Sequence, residues 1–136
     1  MATQKAMQPK AVVDFLSKYI QEGDLEGITT LFHPDYLLLF PPTEAPKRGV
    51  EALKEVFTGF IEGKLKLIGK VTGEVINGDT ALVQVNWHVE DVSGAVVSKG
   101  SSTEVHKQLE DGSWVYYIDC PLGLPAIGEL VKNNML

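Results

Sequence analysis

Three histidines, one cysteine and a few strand-borne carboxylates are the side chains here that could move a proton, bind a metal or attack a carbon. His88 closes an alternating stretch in which Leu82, Gln84, Asn86 and His88 share one face, and Ala81, Val83, Val85, Trp87 and Val89 share the other. An imidazole beside two amides is a combination for general acid/base work with hydrogen-bond donors to a developing oxyanion. Alternation alone is equally consistent with the polar set facing solvent and with its facing a cavity. Glu104 and His106, two apart on a later strand, could in principle share a metal, but two ligands do not make a site, and they read as a solvated or interface pair. His33 precedes Pro34 at the expected end of a helix, where a positive charge complements the helix dipole. Lys47-Arg48-Gly49 reads as surface loop, and Cys120, with no lysine cluster or helix start to depress its pKa, as packing. There is no Gly-rich phosphate loop, HExxH or Ser-His-Asp ordering, and a single cysteine allows neither an intramolecular disulfide nor a thiolate cluster. Neither a metal nor a cofactor is expected.

These residues need elements to position them. Residues 1–8 are polar and aperiodic and read as a flexible tail. From Pro9 the apolar positions Val12, Phe15, Leu16, Tyr19 and Ile20 follow helical spacing, and Gly23 is a natural stop. Asp24 can cap a second helix carrying Leu25, Ile28, Leu31 and Phe32, ended by His33-Pro34-Asp35. Tyr36 to Phe40 is then a buried strand, halted by Pro41-Pro42. Leu53, Val56, Phe57, Phe60 and Ile61 predict a third helix from about Gly49 to Glu62. From Lys64 the period changes to two: strands are expected over 64–76, 80–91, 95–109 and 113–120, the first pair joined by the hairpin signal Asn77-Gly78-Asp79. Ile127, Leu130 and Val131 allow one short terminal helix.

A chain of 136 residues suits one domain, 9–136 after the tail. With 44% hydrophobic and 22% charged residues it is of ordinary globular composition. A net charge of −6, from 12 basic and 18 acidic residues, gives no footprint for nucleic acid or an anionic membrane. The longest apolar run, Tyr36 to Pro42, falls far short of the ~18–20 residues of a membrane span, so a cytoplasmic location is the default expectation.

Helices first and an antiparallel sheet afterwards is an α+β layout. With Gly23-Asp24-Leu25, Leu31-Phe32-His33-Pro34-Asp35, Arg48-Gly49, Asn77-Gly78-Asp79-Thr80-Ala81 and Asp111-Gly112-Ser113-Trp114, it resembles the nuclear transport factor 2-like superfamily, particularly its SnoaL-like members, over about residues 9–122. The resemblance implies a cone-shaped, cystatin-like fold, three N-terminal helices packed on a curved antiparallel sheet, in a family that holds ketosteroid isomerase-like enzymes, cyclases, dehydratases and non-catalytic association domains. Aligned with the isomerases, Phe40 stands where their carboxylate base would be and Leu16 where their oxyanion tyrosine would be. Val105, or Glu104 if the register slips by one, stands where they place a protonated acid. Steroid isomerisation by that mechanism is therefore disfavoured.

The resemblance also implies that the even-numbered face of the His88 strand looks into a cavity and that the opposite face packs on a second subunit. A homodimer through Val83, Val85 and Trp87 is then expected. The same parity turns Val115, Tyr117 and Asp119 inward, so that Asp119 could orient His88 as a catalytic acid/base pair, with Tyr117, Asn86 and Gln84 as donors. Tyr36, Phe40, Phe57, Leu16 and Val105 complete the expected binding wall for a small, largely apolar molecule. The alternative is a non-catalytic ligand-binding or association domain using the same residues.

Overall fold

The structure, a computed structural model, describes residues 4–41 and 44–124. After a single 3-10 turn at Pro9–Ala11, helix α1 (Val12–Glu22) buries Val12, Val13, Leu16, Tyr19 and Ile20 along one stripe. Gly23, at φ 66°, ends it in the left-handed conformation that glycine adopts without a Cβ penalty. Asp24 caps α2 (Leu25–Thr29) by accepting from the Gly27 N–H at 2.8 Å. Strand β1 (Phe32–Leu38) and helix α3 (Val50–Glu62) follow, then β2 (Lys66–Asn77), β3 (Thr80–Glu90), β4 (Val96–Gln108) and β5 (Trp114–Cys120).

The five strands form one sheet in the order β1-β5-β4-β3-β2; β1 runs parallel to β5 and every other pair is antiparallel. The element order is the one read from the sequence. Among the described residues this is an α+β molecule with three α-helices on a curved sheet. The main difference lies between α2 and β1: the helix stops at Thr29, and the strand starts four residues earlier than expected, at Phe32. Strand pairing accounts for this, because Tyr116 donates to the Leu31 carbonyl at 2.8 Å and Phe32 sits opposite Tyr116, which holds His33-Pro34-Asp35 extended.

The first residues are docked from Gln4 onward. The Ala6 carbonyl accepts from Trp114 N–H at 2.8 Å, Lys5 pairs with Asp111, and Tyr19 Oη donates to the Gln4 carbonyl. Ala6 itself is fully buried, so this stretch belongs to the core. The terminal helix expected around Ile127, Leu130 and Val131 lies outside the described residues.

The faces of β3 are the reverse of those expected. Val83 and Val85 are each 1% exposed and pack in the core with Ala81 and Trp87, under α1 and α3, so they cannot form a dimer surface. Their face is covered closely: a Cβ on Gly69 of β2 would stand 2.7 Å from Val13 Cγ2, so the missing side chain lets α1 lie against the sheet. Leu82, Gln84 and Asn86 face outward and are exposed.

Candidate functional site

Strand register decides which polar side chains enter the concave side. Ala81, Val83 and Val85 pair with His106, Glu104 and Ser102, so these three β4 residues share the inward face. Glu104 in turn sits opposite Asp119 on β5, and Asp119 beside Leu38 on β1. Between Val105 and His106 the β4–β5 register slips, leaving Tyr117 as the extra residue between Tyr116, opposite His106, and Ile118, opposite Val105. The bulge lets Tyr116 and Asp119 both face inward although they are three residues apart. Simple alternation along β5 would have separated them.

The inward residues wall a cleft that takes in about 600 Å³, counted out through its open mouth. Leu16 of α1, Phe40, Phe57 and Phe60, and Val85, Trp87 and Val89 of β3 make it apolar. Among the described residues, its only ionisable lining groups are Glu104, Asp119 and Tyr116. Trp87 Nε1 donates to the Pro121 carbonyl at 2.7 Å and fixes the indole at one end.

Glu104 is only 4% exposed and both of its oxygens are engaged. Ser102 Oγ donates to Oε2 at 2.5 Å, and His106 Nε2 lies 2.8 Å from Oε1. Burial, and then the neighbouring Glu104 charge, raise the Asp119 carboxyl well above the usual carboxylate range. Burial and the carboxylates of Glu104, Asp119 and Asp14 push the Tyr116 phenol up in the same way. The cleft therefore has an apolar body and one polar end, where the carboxyl groups of Asp119 and Glu104 and the phenol of Tyr116 meet. Ser102 donates to a carboxylate and not to an imidazole, so the trio lacks the base-on-hydroxyl contact of an activated serine nucleophile.

Of the residues expected from sequence, Asp119, Phe40, Phe57 and Leu16 line this cleft. His88 does not join them. It pairs with Glu90 at 2.8 Å and lines a shallow outward depression with Asn86, Lys70, Lys99 and Ser101. Asn86 accepts from Ser101 Oγ there, and Gln84 is exposed on the same outer face. Tyr117, at the bulge, packs edge-on against His33 and under Lys107. Val105 faces outward between Leu82 and Ile118, and Tyr36 is buried in the core with its hydroxyl donating to the Gly49 carbonyl. His33 lies in β1 and accepts from Asp35 N–H through Nδ1, so it caps no helix.

Sequence reading missed Ser102 and His106 as inward residues and held Glu104 only as the register-slipped alternative to Val105. Their period-two spacing was visible, but the side of the sheet they face was set by pairing with β3. Among the described residues no cluster of three or more His, Cys, Asp or Glu could hold a metal ion, and no helix is long and apolar enough to cross a membrane.

Helices covering the concave side of a curved sheet, with a cleft between them, define the class of fold. The profile of the SnoaL-like domain matches residues 12–117, and the chain belongs to that family. No curated protein matches it. Solved structures do. A conserved protein of Planctomyces limnophilus aligns at 18% identity and TM-score 0.67, over 85% of this chain and 93% of its own. A Xanthomonas campestris protein named for the calcium/calmodulin dependent protein kinase II association domain aligns at 20% and 0.63, over 93% and 99%. A ketosteroid isomerase-like protein of Erwinia carotovora aligns at 18% and 0.61, over 82% and 90%. At these identities the likeness is one of fold.

Proposed function

We propose that the cleft binds a small, predominantly apolar molecule by one oxygen, which accepts a hydrogen bond from the protonated carboxyl of Asp119. The observation that carries this is the pairing of Asp119 with Glu104 at the only charged end of an otherwise apolar cleft, among the described residues. Giving up the Asp119 proton would leave two carboxylates side by side in a desolvated site, so Asp119 holds its proton while polarising the ligand. This chemistry suits polarisation of a carbonyl, as in isomerase-type reactions, and it suits plain ligand binding equally. His88 has no part in it.

Titration of the 15N-labelled chain with acetophenone tests the reading. Shifts confined to Leu16, Phe57, Val85 and Asp119, weakened at least several-fold by Leu67→Trp, which fills the cleft, are expected. Shifts scattered over the surface and indifferent to Leu67→Trp would sink it.

A second reading, association with another copy, is favoured by an outward row running across the sheet: Val75, Leu82, Val105, Ile118 and Leu37 are successive cross-strand partners. Val75 is 65% and Leu82 54% exposed. Gln84 and Thr103, paired beside the row, are uncharged, so a second copy related by a two-fold axis buries no like charges at its centre.

A further inference from the structure

We infer that His106 is a positioning residue that keeps the site's negative charge on Glu104 and its proton on Asp119, so that the cleft takes neutral molecules with an acceptor oxygen and rejects carboxylates. The inference rests on reading Asp119 as the donor of the cleft. His106 is 1% exposed, and its ring stands edge-on to Tyr116 at 5.0 Å. Its Nε2 faces Glu104 Oε1 at 2.8 Å, whereas its Nδ1 is buried with no hydrogen-bond partner among the described residues.

Ser102 already donates to the other oxygen of Glu104, so we place the single hydrogen of the 2.8 Å contact on Nε2. If Nδ1 carried one as well, a charged ring would bury an N–H with no acceptor; a bare lone pair at Nδ1 is the lesser cost. The ring is therefore the neutral tautomer with hydrogen on Nε2. Two consequences follow for the pair. Glu104 receives two donors, from Ser102 and His106, so both of its oxygens are engaged as acceptors. His106 also brings no positive charge to cancel that carboxylate, so Asp119 faces it in full.

The other groups around Asp119 leave this balance intact. On its own strand Tyr116 and Cys120 are both held in their protonated forms, the thiol pushed up to about 11 chiefly by burial. From the remaining elements the cleft presents Leu38, Phe40, Phe57, Phe60 and Trp87, none of them charged. A carboxylate ligand would meet Glu104 in this enclosure without a cation to pair with.

NMR on the intact, uniformly 13C,15N-labelled chain tests each step. Long-range 1H–15N spectra near pH 7 are expected to show His106 with a bare Nδ1 and a protonated Nε2; both nitrogens protonated would overturn the inference. In a carboxyl 13C titration Asp119 is expected to stay protonated where exposed aspartates are ionised; an Asp119 that ionises with them would overturn it. His106→Phe keeps a ring but removes the donor, and is expected to lower the Asp119 midpoint. His106→Gln, whose amide can restore an N–H, is expected to return that midpoint toward wild type, and a midpoint unchanged by His106→Phe counts against the inference. Should His106→Phe fail to fold, the wild-type ring spectrum and the wild-type Asp119 titration decide the matter.

Acetophenone and benzoate, similar in shape and different in charge, complete the test. Benzoate is expected to bind at least about tenfold more weakly to wild type, and the gap to narrow in His106→Phe. Equal binding of the two overturns the inference. Binding of neither, with the His106 and Asp119 spectra as expected, refutes the ligand reading of the cleft and leaves the proton assignment standing.

Discussion

Asp119 is the residue whose ionisation matters most to the molecule. Its carboxyl is raised in the folded chain, first by burial and then by Glu104, so the native state binds this proton more tightly than the unfolded state does. The stability it contributes is present in full below the ordinary carboxylate range and is lost as pH rises through the raised native value. Asp119→Asn keeps the shape and drops the titration. The melting temperature of the variant relative to wild type is therefore expected to climb as pH rises above the ordinary carboxylate range, measured by thermal denaturation; a constant difference would show that Asp119 ionises normally. Glu104→Gln removes the like charge but not the burial, so it is expected to lower the Asp119 midpoint without restoring it to that of an exposed aspartate. Carboxyl 13C titration reads this directly. Asp119 was recognisable from sequence as an interesting carboxylate, but its partner was not: His88 alternates onto the outer face, and Glu104 is brought opposite by pairing.

At the scale of elements, α1 and α2 are held by local signals and a close approach. Asp24→Ala removes the hydrogen bond to Gly27 and is expected to cost about 1 kcal/mol, read from denaturant midpoints. Gly69→Ala would place a methyl 2.7 Å from Val13 and 3.1 Å from Val85, between α1 and the sheet. Overpacking there is expected to cost about 1–3 kcal/mol and to disturb Leu16 and the adjacent cleft wall. Gly49→Ala makes no such contact, and its cost is confined to a backbone at φ 87°, so comparing the two variants separates packing from backbone strain. The spans of α1 and α3 and the hairpin at Asn77-Gly78 were legible because capping residues, glycines and period are local, whereas the end of α2 at Thr29 was not. The start of β1 was not, since it is fixed by pairing with β5, more than 80 positions away in sequence.

For the molecule as a whole, the N-terminal end of the fold and its outer face carry testable consequences. The N-terminal residues fill a place against β5, so deleting residues 1–8 is expected to expose Trp114 and to destabilise the chain by about 1–3 kcal/mol, a loss visible as a red shift of tryptophan emission and a lower denaturant midpoint. On the other side, Leu82→Lys puts a charge in the centre of the outward apolar row. If a second copy covers that row, sedimentation should show wild type as a dimer and the variant as a monomer with unchanged melting at low concentration. A monomeric wild type would dismiss that interface and leave the cleft reading untouched.

The family resemblance placed Leu16, Phe40 and Phe57 on the cleft wall, and local chemistry in the sequence determined the order of the described elements and the α+β class. Order and class follow from periodicity, capping and turn preferences acting over a few residues, and the family resemblance rested on the same signals. Tertiary structure decided which face of each strand is inside. Alternation fixes two faces but does not name them, and a single bulge at Tyr117 inverts the parity of β5 midway. Asp119 was expected inward from unbroken alternation from Val115, and it faces inward because the bulge and the inverted faces offset each other. The same inversion buried Val83 and Val85, put His88 outside, and brought Glu104 and His106 to Asp119, a grouping that exists only once β3, β4 and β5 are in register.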